Sequence, residues 1–229
     1  MAQEAYFSPA FFSFLRDLKT HNNRDWFHAH KERYEQTVRD PLLRFIADFG
    51  PRLRAISPHF VADPRPTGGS MFRIYRDTRF SRDKSPYKTH ASAHFEHERA
   101  GSVHAPGYYI HLAPKDVYVG VGVWQPDSET LAKIRAAIVT TPSRWKRAVS
   151  APAFRRRFVV EGETLKRAPQ GVDPHHPLIE DLKRKDFTAG VRLTERDALS
   201  LRFLDQFTAL CKDAAPFMKF LTGAVGLPW

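Results

Sequence analysis

A chain of 229 residues with 42% hydrophobic content and 18 phenylalanines holds enough apolar mass for a sizeable core, which excludes disorder. A formal net charge of +11 and a pI near 9.9 create a field that attracts polyanions and anionic metabolites, but weak, non-specific nucleic-acid affinity follows from such charge alone. The lone Cys211 excludes an intrachain disulfide and a multi-thiolate zinc site, and no apolar run reaches the ~20 residues of a membrane span.

The chain starts Met-Ala-Gln-Glu without a basic-then-apolar leader, so a cytoplasmic location is the expectation. Ser8-Pro9 predicts a helix start, and Phe11, Phe12, Leu15 and Leu18 then keep helical spacing. Asn22-Asn23 restarts a helix with Asp25 in its first turn; Trp26, Phe27, Tyr34 and Val38 share one broad apolar face. Asp40-Pro41 repeats the cap-then-proline signature, and Gly50-Pro51 predicts a break before a last short turn to Ser57.

After a loop at 64–70 the hydrophobic period changes to two. Runs near 71–77, 91–96, 107–112 and 117–124 predict antiparallel strands, with Ala113-Pro114-Lys115-Asp116 as a hairpin turn. Gly120 and Gly122 lie opposite the valines of the last run, so another backbone, a ring, a helix or a ligand can approach closely there, a ring or helix being favoured. Asp127 caps a helix carrying Leu131, Ile134 and Ile138, and Pro142 opens a shorter one. A short strand is expected at 158–160. Residues 161–193 read as loops around one short helix near 178–185, and Thr194 caps a final helix with Leu199, Phe203, Phe207 and Leu210 as its core stripe. The expectation is one α+β domain over residues 1–229, a mostly antiparallel sheet flanked by helices.

The densest chemistry lies at 71–90. Arg73, Arg76, Arg79, Arg82, Lys84 and Lys88 alternate with Asp77, Asp83 and aromatic rings. Guanidinium groups match phosphate or carboxylate oxygens two at a time, so this stretch is either an anion site or an ion-paired clamp. On a strand, Arg76 would share the apolar face of Phe72 and Ile74 and need a partner, expected from outside the segment. Arg73, Arg79, Lys84 and Lys88 are the candidate ligand-binding residues. Asp77 is a candidate to orient an arginine or act as a base, and Tyr87 to donate a hydrogen bond or stack. Arg76 and Asp77 are the structural candidates.

No metal or other cofactor is expected. His28 and His30 face opposite sides of a helix, and His90 and His94 lie roughly 13 Å apart on a strand. His94, Glu96 and His111 can meet across strands, but a solvated polar face is the better reading of them. The cations at 144–157 suit either a solvated helix face or a phosphate backbone.

Taken together, Asn22-Asn23-Arg24-Asp25-Trp26-Phe27, the stretches 72–80 and 83–89, Pro106-Gly107-Tyr108-Tyr109, residues 120–126, 165–171 and Lys185-Asp186-Phe187 resemble a bacterial and fungal family, domain of unknown function 2461. The resemblance implies a single full-length domain and supplies no catalytic residues. The preferred expectation is therefore binding, with or without turnover, of a phosphorylated or carboxylated ligand at the 73–88 loop. The alternatives are a nucleic-acid-binding module that joins this loop to the 144–157 cations, and a non-catalytic interaction protein with an Arg/Asp clamp. Neither a membrane partner nor an oligomeric state is read from the chain.

Overall fold

The computed structural model describes residues 4–102 and 104–229; the leader reading therefore rests largely on residues outside that range. The chain opens with α1 (Pro9–Thr20), whose Pro9 lies in the first turn, where no N–H is needed. Asn23 caps α2 (Arg24–Ala29) by accepting the Trp26 N–H at 2.9 Å. Helix α3 (Lys31–Tyr34) then runs through a π-turn, Glu35–Arg39, into α4 (Asp40–Ile56).

Asp40-Pro41 opens α4 as expected, with Pro41 in its first turn, but the helical path does not restart there: Arg39 before it is already helical, and α4 follows directly on the wide π-turn. One sequence expectation fails along this run: Gly50-Pro51 does not end the helix, because the apolar stripe of Leu42, Phe45, Ile46, Phe49 and Leu53 continues through it and is buried. Packing outweighs the local cost of the proline.

The sheet consists of β1 (Ala91–Glu96), β2 (Gly107–Ala113), β3 (Asp116–Val123), β4 (Val159–Glu161) and β5 (Phe187–Leu193), in the order β1-β2-β3-β5-β4. Every pairing is antiparallel. Helices α5 (Ser128–Thr140), α6 (Pro142–Ser150) and α7 (Pro152–Arg157) separate β3 from β4, and α8 (Ile179–Leu182) precedes β5. The chain closes with α9 (Glu195–Ala198), α10 (Phe203–Asp213) and α11 (Ala215–Ala224). Thr194 caps the short α9 through a capping box with Asp197, so the helix expected after it is three.

The expected strand at 71–77 is absent, and a strand was missed at 187–193. Residues 71–77 touch β1 and their own loop through the isolated bridges Met71–Ala93 and Tyr75–Tyr87. Alternating Phe187, Ala189, Val191 and Leu193 in β5 pairs with β3 along its whole length. The alternation makes one sheet face apolar: Phe95, Tyr108, Ile110, Leu112, Val117 and Val119 are buried in a core shared with the helices. No helix of the described residues is long and apolar enough to cross a membrane.

Candidate functional site

The 71–90 segment folds as an irregular hairpin along the free edge of β1. Phe72 N–H donates to Ser92 O at 3.0 Å, and His94 N–H donates to Ser70 O at 2.8 Å. Further out the segment pairs with itself, Arg76 N–H to Pro86 O at 2.9 Å and Lys88 N–H to Ile74 O at 2.7 Å. Asp77 and Asp83 then accept the backbone N–H groups of Arg79 and Ser85, two turns that compete with a continuous ladder. That is why alternation here yields bridges instead of a strand.

An amide clamp fastens this hairpin to the helices. Asn22 donates to Tyr87 O at 2.9 Å and accepts the Tyr87 N–H at 3.0 Å. The Tyr87 ring, 2% exposed, stacks on Phe27 with centroids 4.2 Å apart, and burial raises its pKa. Tyr87 anchors the loop and does not present its ring to solvent.

Arg76 has its partner inside the motif, contrary to expectation. It pairs with Asp83 and donates to Ser85 O at 3.2 Å, and its side chain keeps 27% exposure. Nor does it share an apolar face with Phe72, which is 42% exposed. The Ser85 side chain and backbone, together with Arg76, hold the Asp83 carboxyl down at about 2. Arg79 is 77% exposed, but its guanidinium grips Asp77 at 2.7–3.2 Å, which lowers the Asp77 pKa and weakens it as a base. Lys84 Nζ donates to Thr78 O at 2.9 Å. Arg79 and Lys84 are thus occupied by their own loop, whereas Arg73 and Lys88 make no hydrogen bond or ion pair among the described residues.

Lys88 borders the polar face of the sheet, with Arg73 close enough to act on its charge. Strand register sets Ser92, His111, Tyr118 and Arg192 in one row across it, and His94, Tyr109, Gly120 and Gly190 in the next. Lys88 Nζ lies 5.2 Å from the Phe72 ring centre, and Phe72 in turn meets His94 and Tyr109. The His90 and His111 rings are 4.3 Å apart. His111 Nδ1 and the Tyr109 hydroxyl share a hydrogen bond at 3.2 Å, and His111 Nε2 lies 3.8 Å from Asp116. Burial, then the neighbouring His111 and Lys88, push His90 down to about 4, and burial also lowers His111. Burial and Arg73 lower Lys88. Of the two glycines opposite the valines, Gly120 is covered by a ring, as favoured, since a Cβ there would meet the Tyr118 ring at 2.8 Å, whereas Gly122 faces the Phe187 backbone; Gly190 lies under the Tyr118 ring as well.

Residues 10–220 match a family described as a conserved hypothetical protein, DUF2461. The chain belongs to the DUF2461 family. No curated protein matches it. In this DUF2461 chain the motifs around Asn22 and 72–89 are the two halves of one assembly, the amide clamp and the hairpin it holds.

The face joins imidazoles, phenols and an ammonium without a carboxylate partner, so it can donate directional hydrogen bonds to an anion and exchange protons with it. His94 bonds Glu96 at 2.9 Å and His111 turns instead to His90, so the three do not converge. Among the described residues no group of three His, Cys, Asp or Glu side chains could hold a metal. Sequence reasoning did not assemble Tyr109, His111, His90 and Tyr118. The available signal was the polar half of the β2 and β3 alternation, but its alignment depends on cross-strand register.

The hairpin contacts set an order of importance. Arg79→Ala in the DUF2461 protein should leave the melting temperature within about 2 °C of wild type, because an exposed pair contributes little. Arg76→Ala should lower it several-fold more, since three loop groups lose their donor. Equal losses in thermal melts of the two variants would mean that Arg79 and Arg76 share one structural network.

Proposed function

We propose that this protein binds a small phosphorylated or carboxylated ligand on the polar sheet face, at the Arg73–Lys88 end of the arginine-rich hairpin. The observation that carries this reading is Lys88: a half-buried ammonium with no carboxylate partner, beside the paired His90 and His111 rings. A burial cost met within the chain only by the Phe72 ring is offset further when an anion arrives. Arg73 and Lys88 supply charge; His90, His111 and Tyr109 supply direction. Arg79 and Lys84 shape the hairpin, and Asp77 orients Arg79. A cytoplasmic setting belongs to the same proposal, resting on the lone thiol Cys211.

The test is a thermal-shift titration with sulfate, whose charge is constant across the pH range used, and with inorganic phosphate. At 100 times Kd, one site stabilises by about 2.7 kcal/mol. Lys88→Met should remove the saturable shift and Arg79→Ala should keep it; the opposite result would move the site to the outer loop.

The pH dependence has a defined sign. Between the ordinary histidine value of ~6.5 and about 4, the unfolded chain binds a proton that folded His90 refuses, so stability without anion falls as pH drops through that window. An anion beside the imidazoles favours their protonated forms, so sulfate affinity should rise over the same drop. Calorimetric titrations at pH 7.5 and 5 check this, and an affinity indifferent to pH would detach the histidines from the site.

One observation favours a second reading, a single-stranded nucleic acid laid across the sheet. Arg156, Arg157 and Arg192, with Glu161 among them, line a depression of about 430 Å³ at the β4–β5 edge of the sheet, with the Tyr118 and Tyr109 rings between it and Lys88. Stacking on such rings between basic rims is a known mode for single strands. Oligonucleotide affinity that survives moderate salt and is lost in Tyr118→Ala would support it.

A further inference from the structure

A separate cavity of about 690 Å³ lies in the helical layer, bounded by α5, α6 and α11. That volume is in the range of small-molecule sites, ~300–1,000 Å³. Its lining comes from residues three and four apart on each helix, so one face of each turns toward the same space. Ala136 and Ala137 of α5, Ala148 of α6, and Phe220, Gly223 and Ala224 of α11 form an apolar floor.

Two features of this cavity point to its ligand. The first is charge. Lys133, Arg144, Arg147 and Lys219 line it and no carboxylate does. Lys133 is tied to Glu129 at 2.7 Å, whereas Arg144, Arg147 and Lys219 make no ion pair or hydrogen bond among the described residues. The second is Gly223. It is the penultimate residue of α11, exposed and at an ordinary helical backbone, and a Cβ there would find nothing within 4 Å. Neither strain nor crowding asks for glycine at this position, and glycine is a poor helix former. Its effect is to keep the floor open.

We propose that this groove binds an anionic amphiphile. Its hydrocarbon lies on Ala137, Ala148, Phe220 and Gly223, and its carboxylate or phosphate head sits between Arg144 and Arg147, one turn apart on α6, with Lys219 opposite. Guanidinium pairs of this kind suit either head group. A bare inorganic anion leaves the apolar floor unused, and a neutral amphiphile leaves the cations unused. A nucleic acid would find no row of stacking rings here, Phe220 being half-buried against Trp145.

The experiment is isothermal titration of the full chain with octyl phosphate and decanoate kept monomeric, against inorganic phosphate and octyl glucoside at the same concentrations. Saturable binding of the two anionic amphiphiles, at least about tenfold tighter than either control, is expected. Gly223→Leu, which fills the floor, should abolish it. An Arg144→Gln, Arg147→Gln double variant, altered only at exposed positions, should weaken it about tenfold and keeps the test valid if the leucine disturbs α11. Co-sedimentation with vesicles of phosphatidylglycerol and phosphatidylcholine distinguishes sources: capture on vesicles, lost in the same variants, identifies a membrane lipid, and binding of the monomers alone identifies a free amphiphile. The proposal is overturned if octyl glucoside binds as well as octyl phosphate, if inorganic phosphate alone matches it, or if both variants bind like wild type. Preferential capture of a single-stranded oligonucleotide through Arg144 and Arg147 would overturn it too.

Discussion

Replacing Phe49 by Ala should destabilise the protein by about 3–5 kcal/mol and lower its melting temperature by about 10 °C or more. Phe49 is fully buried on α4 and joins three elements. Its ring meets Phe95 of β1 edge-on at 4.8 Å, Phe207 of α10 at 4.8 Å and Phe45 at 6.3 Å. Truncation loses the transfer free energy of the ring and leaves a cavity at the junction of sheet and helices, where rigid elements on every side prevent collapse. Phe72→Ala is the control: its half-exposed ring should give up little stability while changing the Lys88 environment. Urea titrations and thermal melts of both variants decide the matter. A Phe49→Ala protein melting within about 3 °C of wild type would show that the aromatic junction does not hold the two layers together.

Gly122→Ala should be comparably damaging, at about 3 kcal/mol or more, for a different reason. Gly122 has φ +116°, outside the reach of ordinary side chains, and a Cβ would overlap the carbonyl oxygen of Phe187 and come within 3.0 Å of its carbonyl carbon. Those are backbone atoms of β5, so relief requires separating β3 from β5 at the Gly122–Thr188 register. Gly120→Ala, two residues earlier, meets only the movable Tyr118 ring and should cost much less. It should instead displace Tyr118 across the polar face, so any ligand held there would be lost before stability is. Parallel melts of the two alanine variants test the contrast; equal losses would mean that the close approach of β3 and β5 is not what requires glycine at 122.

These glycines show how far the sequence could be read. That Gly120 and Gly122 leave a face open was legible from alternation with the valines. That a ring covers one and a backbone presses on the other was not, since Phe187 and Thr188 lie more than sixty residues away in the chain. The missed β5 has the same cause. Its Phe-Thr-Ala-Gly-Val-Arg-Leu alternates, but Gly190 and the small Ala189 weaken the signal, and the strand is completed by β3 on one side and β4 on the other. In the opposite sense, the alternation at 71–77 looked like a strand, and Asp77 and Asp83 turned it into a hairpin by accepting local N–H groups.

The sequence by itself determined the local and periodic features. Caps at Asn23, Asp127 and Thr194, prolines at the starts of α1 and α6, the β2–β3 hairpin, the α+β class and the concentration of cations at 73–88 all depend on neighbours within a few residues. The tertiary structure decided which of those cations are occupied. Arg76, Arg79 and Lys84 found partners inside the hairpin, while Lys88 was carried to a face whose histidines and tyrosines come from β2, β3 and the approach to β1. Periodicity encodes which side of an element is apolar, but pairing, register and burial are settled by the free energy of the whole core. A charged side chain's partner is therefore known only once the chain has closed around it.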